Sequence, residues 1–235
     1  MKIALIGHGA MGRLIRTLAE EKNHEISVVI DDTEAGLSAA ELADKLRGVD
    51  VAIDFTIAEA VQRNVEACVL AGVPLVEGTT GWNDQRSEIE RHVREGLGAM
   101  VFGANFSIGV NLFYRIADFA SELFAKFPEY EAFIEEQHHS RKKDAPSGTA
   151  LKLKDIVAKH IDADFSVSAT RAGNIPGTHR VGFDGPADQI LLEHTARSRE
   201  GFAAGAILAA EWIVGKSGFY EFGDIMDEIC QNRER

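Results

Sequence analysis

Residues 3–12 read Ile3-Ala-Leu-Ile6 and then Gly7-His-Gly-Ala-Met-Gly12, and this stretch decides the fold class. Four apolar residues in a row suit a strand buried on both faces. The glycines break that run, and a helical pattern follows with Met11, Leu14, Ile15 and Leu18 on one stripe. G-x-G-x-x-G between a strand and a helix is the dinucleotide-binding fingerprint in its required context. Gly7 allows the tight turn, Gly9 lets a pyrophosphate approach the backbone, and Gly12 lets helix and strand pack closely. The helix N-terminus offers N–H groups to the anion, with His8, Ala10 and Met11 completing the loop. The plain alternative is a glycine turn with no ligand.

Further apolar runs at 26–30, 51–53, 74–76 and 100–102 predict strands, with helical stretches at 58–71 and 82–95. Short strands separated by helices mean βαβ units and a parallel sheet. After residue 107 the pattern changes. A long amphipathic helix is expected over 108–124. Alternating segments follow at 131–138, 165–170, around Val181 and at 190–195, with a helix at 151–160. Alternation points to an open sheet with one wetter face. An Ala-rich helix at 202–214 and a short helix at 222–230 close the chain. The expected fold is α/β. A Rossmann-type parallel-sheet domain spans 1–107, and a smaller α+β domain with an open mixed sheet spans 108–199. Residues 200–235 return to the first.

The chain has 235 residues, room for about one to two domains. Its net charge of −12 gives no electrostatic footprint for nucleic acid or for an anionic membrane face. Two cysteines exclude a disulfide framework and read as free thiols. No apolar run reaches the roughly 18 residues of a membrane span. The opening run ends at Gly7, short of the ~7–15 apolar residues of a secretory leader. The expectation is a soluble, cytoplasmic protein.

The acid expected at the end of the second strand is Asp31, about 20 residues beyond Gly12, placed to accept ribose hydroxyls. A carboxylate there repels a 2′-phosphate, and Thr33 and Glu34 offer no cation to hold one. That favours NADH, with NADPH still possible. Asp54-Phe-Thr56 and Gly78-Thr-Thr-Gly81 leave the carboxyl ends of two more strands, where ligands bind in such sheets. Phe55 could stack near a nicotinamide, and Thr79 or Thr80 could bond its ribose or amide. Ordinary turn chemistry is the alternative for each, and for the threonine pair the favoured one.

The densest chemistry lies in Glu136-Gln-His-His-Ser-Arg-Lys-Lys-Asp-Ala-Pro-Ser-Gly-Thr149. Ser147 suits a helix N-cap, which leaves the N–H groups of Gly148 and Thr149 for a carboxylate. Lys142 or Lys143 would add positive charge, and a histidine could deliver a proton. No carboxylate or cysteine stands at a recognised metal-ligand spacing, so no metal is expected. A charged surface loop beside a capped helix is the alternative.

The run from His138 through Lys142 to Asp144-Ala-Pro-Ser-Gly-Thr149 resembles the signature of the dihydrodipicolinate reductase family. Asp54-Phe-Thr56, Gly78-Thr-Thr-Gly81, the stretch from Ala104 to Asn111, Arg171-Ala-Gly173, Gly177-Thr-His179 and Phe202-Ala-Ala-Gly-Ala206 agree in order. The resemblance spans nearly the whole chain. It departs in the first loop, which is shorter than G-x-x-G-R-M-G-R and carries Ala10 for arginine, and in a short second-to-third strand connection.

The resemblance implies an NAD(P)H-dependent reductase of 4-hydroxy-tetrahydrodipicolinate in the diaminopimelate route of lysine biosynthesis. It implies His138 as general acid and Lys142 as second proton donor and charge partner. His139, Gly148 and Thr149 would bind the cyclic dicarboxylate. Gly103, Ala104, Asn105 and Phe106 would line the nicotinamide side with Gly78, Thr79 and Thr80. A homotetramer through the second-domain sheets is also implied. The rivals are another two-domain Rossmann dehydrogenase of amino acids or semialdehydes, and a non-catalytic NAD(H)-binding redox sensor. The other histidines, His179 and His194 among them, read as surface or sheet residues.

Overall fold

Residues 1–161 and 164–232 are described by the computed structural model; residues 162–163 and 233–235, which fall inside the expected domain ranges, lie outside the described residues. Two structural units divide the chain, Met1–Ile108 with Glu200–Arg235, and Gly109–Arg199.

The first unit begins with β1 (Lys2–Ile6), α1 (Ala10–Glu21), β2 (Glu25–Ile30), α2 (Ala39–Leu46), β3 (Val51–Asp54) and α3 (Ala58–Ala71). It continues through β4 (Leu75–Glu77), α4 (Arg86–Glu95) and β5 (Ala99–Phe102). The second unit holds most of α5 (Ile108–Phe124), then β6 (Glu131–His138), α6 (Gly148–Ala158), β7 (Ser166–Arg171), β8 (Thr178–Asp184) and β9 (Gln189–Thr195). The chain then supplies α7 (Glu200–Ile213), β10 (Gly218–Glu221) and α8 (Phe222–Asn232) to the first unit.

The first unit is a parallel sheet in the order β10-β5-β4-β3-β1-β2. Strand order reverses between β1 and β3. Loops leaving the carboxyl ends of these strands open at that switch point, where doubly wound sheets bind ligands. Ile15 and Ala19 of α1, Ile207 of α7 and Ile225 of α8 bury one face. Leu42 and Leu46 of α2, Val61 and Val65 of α3, and Ile89 and Val93 of α4 bury the other. Strands covered on both faces need apolar side chains on both, which is why β1 and β3 read as unbroken apolar runs.

Three elements differ from the sequence reading. The β2–β3 connection contains α2, opened by a capping box in which Ser38 Oγ accepts from Glu41 N and Glu41 Oε2 accepts from Ser38 N. That Ser-x-x-Glu signal was legible and went unread. The expected helix over 82–95 starts only at Arg86, because Trp82 Nε1 donates to the Thr79 carbonyl at 2.8 Å and ties the preceding turn to the loop after β4. β10 was not anticipated; it pairs parallel with β5 and extends the sheet.

The second unit is a mixed sheet in the order β7-β6-β8-β9, with β6 and β7 parallel and the other pairs antiparallel. Phe113 and Ala117 of α5 with Leu153, Ile156 and Val157 of α6 pack on Ile134, Val181 and Phe183. β6 alternates as expected. β8 does not, because Gly182 stands opposite Phe133 and leaves room for its ring on the second face. Among the described residues no helix is long and apolar enough to cross a membrane.

A β-carbon at Gly205 of α7 would lie 1.7 Å from the Phe106 carbonyl oxygen, a backbone atom that cannot swing away. Gly205→Ala is expected to cost about 1–3 kcal/mol in urea unfolding, as overpacking does. Gly36→Ala, whose methyl would meet nothing within 4 Å, should be nearly neutral. Equal stabilities for the two variants would refute the close approach of α7 to this loop.

Candidate active site

The three glycines of the first loop hold three different positions. Gly7 has φ +91°, and a β-carbon there would lie 2.5 Å from the Phe55 carbonyl oxygen. One at Gly12 would lie 2.1 Å from the Gly7 carbonyl oxygen, so this glycine sets how closely α1 approaches the loop. At Gly9 a β-carbon would meet nothing within 4 Å. Gly9 is therefore required neither by backbone conformation nor by packing; the open space at its α-carbon suits close approach by a ligand. α1 has no side-chain cap and no acidic residue in its first turn, and its ladder begins with Arg13 N to Gly9 O at 3.1 Å. The N–H groups of Ala10, Met11 and Gly12 have no acceptor within the helix. A pyrophosphate fits these donors in charge and in room. His8 Nε2 is buried without a partner among the described residues, and its carbonyl accepts from Arg13 at 3.1 Å.

Asp31 follows β2 and is itself an N-cap. Its Oδ1 accepts from Thr33 N at 2.9 Å and Thr33 Oγ1 at 2.7 Å, and Glu34 Oε2 accepts from Asp31 N. The Thr33 hydroxyl and then its N–H lower the Asp31 carboxyl below its ordinary value. Lys45, the cation nearest Glu34, is tied to it at 2.8 Å.

The other expected contacts divide into exposed and buried groups. Phe55 lies over Gly78, where a β-carbon would be 2.2 Å from its ring, and meets Phe106 edge-on at 6.2 Å. Phe106 is buried and packs on Phe222 at 4.7 Å, so its ring serves the core and only its backbone is left for a cofactor. Thr79 is buried too; its hydroxyl accepts from Thr56 N at 2.9 Å. Thr80 and Ala104 are exposed, Gly103 is half-buried, and Asn105 Oδ1 accepts from Ser107 N.

In the second unit the register builds the site. His138 pairs with Arg171 across β6 and β7, and Glu136 pairs with His179 across β6 and β8. Residues two apart on a strand share a face, so Glu136 and His138 lie together. Glu136 is fully buried. It accepts from Ser147 N at 2.9 Å, from Arg171 Nη2 at 2.5 Å and, in a short contact, from Ser147 Oγ. Burial favours its neutral form, but the bonds from Ser147 and Arg171 outweigh that and hold the carboxyl below its ordinary value. His138 Nδ1 lies 3.6 Å from Glu136 Oε2, and its ring is T-shaped to His179 at 5.0 Å.

Burial lowers His138 below its ordinary 6.5, opposed by Glu136 and helped by Lys142 and Arg171. Burial, then His138, brings His179 down to about 4. Both rings are neutral at neutral pH. Lys142 is paired with Asp144 at 2.9 Å, whereas Lys143 is exposed. Ser147 caps α6 by accepting from Ala150 N at 3.3 Å, which leaves Gly148 and Thr149 as the N–H groups that open the helix. His139 Nδ1 is buried without a partner among the described residues.

The fold thus groups His138 with Glu136, Arg171 and His179, to which the sequence gives no role, and with Ser147, expected only as a helix cap. Alternation along β6 alone could have placed Glu136 beside His138. Arg171 and His179 needed the register. Glu136, His138 and His179 each offer a metal-ligand atom, all within 4.8 Å, a set no linear spacing reveals. Glu136 already accepts three donors, one of them a guanidinium, so an ion here would have to displace Arg171 or Ser147.

The fold and the open glycine loop define a two-unit protein of the Rossmann-type α/β class. Family profiles described as "Dihydrodipicolinate reductase, N-terminus" and "Dihydrodipicolinate reductase, C-terminus" match residues 1–106 and 109–226. A 4-hydroxy-tetrahydrodipicolinate reductase of Christiangramia forsetii is 35% identical, over 99% of this chain and 100% of its own. One of Archaeoglobus fulgidus is 37% identical, over 97% of this chain and 100% of its own. The solved dipicolinate-bound dihydrodipicolinate reductase of Paenisporosarcina superposes with a TM-score of 0.80 at 22% identity, covering 96% of this chain and 99% of that one. The chain belongs to the dihydrodipicolinate reductase family.

His179 makes stability depend on pH. The unfolded chain takes up a proton near 6.5 and the folded one only near 4. Stability is therefore full above 6.5 and falls as pH drops toward 4, by as much as about 3 kcal/mol from this group. Urea unfolding across that range should show the loss, and His179→Gln should reduce it. An identical fall in the variant would remove His179 as its source.

Proposed function

We propose that this protein reduces 4-hydroxy-tetrahydrodipicolinate to tetrahydrodipicolinate and water with a nicotinamide dinucleotide, in the diaminopimelate route of lysine biosynthesis. The observation that carries the reading is the grouping at the end of β6, where His138, with Lys142 beside it, and the N-terminus of α6 meet at a charge-balanced Glu136. The names of the relatives support the same reaction. A redox sensor needs no such grouping. A reduced nicotinamide bound there would supply a hydride to the ring left unsaturated when the 4-hydroxyl departs as water. His138 gives the accompanying proton to the ring. Lys142 acts as charge partner and second proton donor. The N–H groups of Gly148 and Thr149 take a carboxylate, and His139 adds a further contact.

A dianionic substrate in a protein of charge −12 must find positive groups locally, and His139, Lys142 and the N-terminus of α6 would gather them. Gly7 to Gly12, Asp31, Phe55, Gly78 to Thr80 and Gly103 to Phe106 form the proposed dinucleotide site. Asp31, flanked by Asp32 and Glu34, favours NADH. The proposal includes no metal, a cytoplasmic location with Cys68 and Cys230 as free thiols, and a homotetramer through the four-stranded sheet, where Ile190 and Leu191 stand exposed. Sedimentation of a monomer would refute the tetramer. NADH oxidation on adding freshly generated substrate tests the reaction; activity with an amino acid instead would select another dehydrogenase.

His138→Ala should lower kcat by roughly 10²–10⁴ and leave NADH affinity unchanged, as loss of a positioned general acid does. The free protein holds His138 below 6.5, so kcat/KM should fall as pH rises past that lowered value. The bound dianion favours the imidazolium, so kcat should break at higher pH. Coincident breaks would argue against His138 as the acid. Lys142→Met should cost about 10–150-fold in kcat/KM, the loss of one charge-assisted contact, and exposed Lys143→Met far less. The reverse order would shift the register by one residue.

Asp31→Asn keeps an N-cap oxygen and removes the negative charge. Calorimetric titration should show the NADPH-to-NADH affinity ratio rising roughly tenfold. An unchanged ratio would take Asp31 out of the ribose site.

A further inference from the structure

Two carboxyl groups are fully buried in the parallel sheet with no arginine or lysine among the described residues bonded to either, and the reaction uses neither. Asp54 ends β3 and Glu77 ends β4; they are register partners on adjacent parallel strands, so their side chains leave the same face. One oxygen of each is satisfied. Asp54 Oδ2 accepts from Asn64 Nδ2 at 2.7 Å, and Glu77 Oε1 accepts from Thr79 N at 2.7 Å. Asp54 Oδ1 and Glu77 Oε2 have no donor among the described residues. Two buried carboxylates side by side repel strongly, and one proton held between the two remaining oxygens removes both the repulsion and the orphans.

We propose that Asp54 and Glu77 share one proton, and that this pair is a positioning element locking the loops after β2, β3 and β4 into one hydrogen-bonded chain. The inference rests on the reading of these loops as the dinucleotide site. From Glu77 the chain runs through Thr79 N to Thr79 Oγ1, which accepts from Thr56 N in the loop after β3. From Asp54 it runs through Asn64, whose Oδ1 accepts from Arg63 Nε at 3.2 Å and Nη2 at 3.0 Å. Arg63 Nη1 then reaches the carbonyls of Ala35, in a short contact, and of Leu37 in the loop after β2. Burial raises both carboxyls above their ordinary values, and the charge of Asp54 adds to the rise at Glu77, so the pair keeps a proton.

Asn64 and Cys68 face the pair from α3, and Thr56 and Thr79 face it from the loops. Burial and the two carboxyls push the Cys68 thiol up, so it stays uncharged. The folded chain binds the shared proton more tightly than the unfolded one. The pair's contribution is present at low pH and lost as pH rises through its second ionisation.

Infrared spectra of the dinucleotide-free protein at neutral pH should show a protonated-carboxyl band that Glu77→Gln lacks. NADH titrations should give Glu77→Gln near wild-type affinity, because the amide donates to Asp54 and accepts from Thr79. Glu77→Val, which leaves Asp54 unpaired, should bind about 5–100-fold more weakly. Wild-type affinity should fall with rising pH, and the Glu77→Gln profile should stay flat. A missing band refutes the shared proton. Matching pH profiles, or a glutamine variant as weak as the valine one, refute the control of the loops. If the wild type shows the band and binds no dinucleotide, the pair stands, and the cofactor reading and the positioning role fall together.

Discussion

A carboxylate removed from water must be paired, protonated or bonded, and this one requirement organises both units. In the mixed sheet, Glu136 is paired with Arg171 and bonded by both donors of Ser147. Those contacts fix the N-terminus of α6, the end of β7 and the start of the histidine loop around one point. In the parallel sheet, Asp54 and Glu77 meet at the carboxyl ends of neighbouring strands and bind the loops above them. Buried acids thus hold in place the segments that carry the chemistry.

The electrostatic consequence differs between the units. Around Glu136 the guanidinium and the hydroxyl keep a full negative charge, and the neighbouring rings of His138 and His179 stay neutral because burial outweighs that charge. A neutral histidine beside Lys142 and Arg171 can gain its proton when an anion arrives. Around Asp54 the nearest guanidinium, Arg63, acts only through Asn64. That carboxyl pair therefore carries less charge than its composition suggests, and the glycine loop faces fewer formal negatives.

The glycine loop shows why a motif needs space as well as spelling. Gly7 and Gly12 are explained by backbone conformation and by packing, and any protein with this turn would need them. Gly9 answers to neither. Its open α-carbon above the uncapped start of α1 is the feature that a binding loop needs and a mere turn does not.

Sequence alone determined the elements whose signals are local. The apolar runs of β1, β3 and β5, the helix over Ile108–Phe124 and the strand Glu131–His138 follow from periodicity, which neighbouring residues carry. The glycine loop, Asp31 and the run from His138 to Thr149 were legible because their spacing within the chain is itself the motif. β10 was missed, since a four-residue strand containing a glycine becomes a strand only by pairing with β5. Thr79 and Phe106 carry no local sign that their side chains are buried, because burial depends on what packs above. Arg171 and His179 joined the site through register, which is set between strands distant in sequence. Residue type and spacing fix which chemistry a chain can offer. Cross-strand register and burial, which exist only once the chain has folded, decide which of those groups meet and which of them keep their charge.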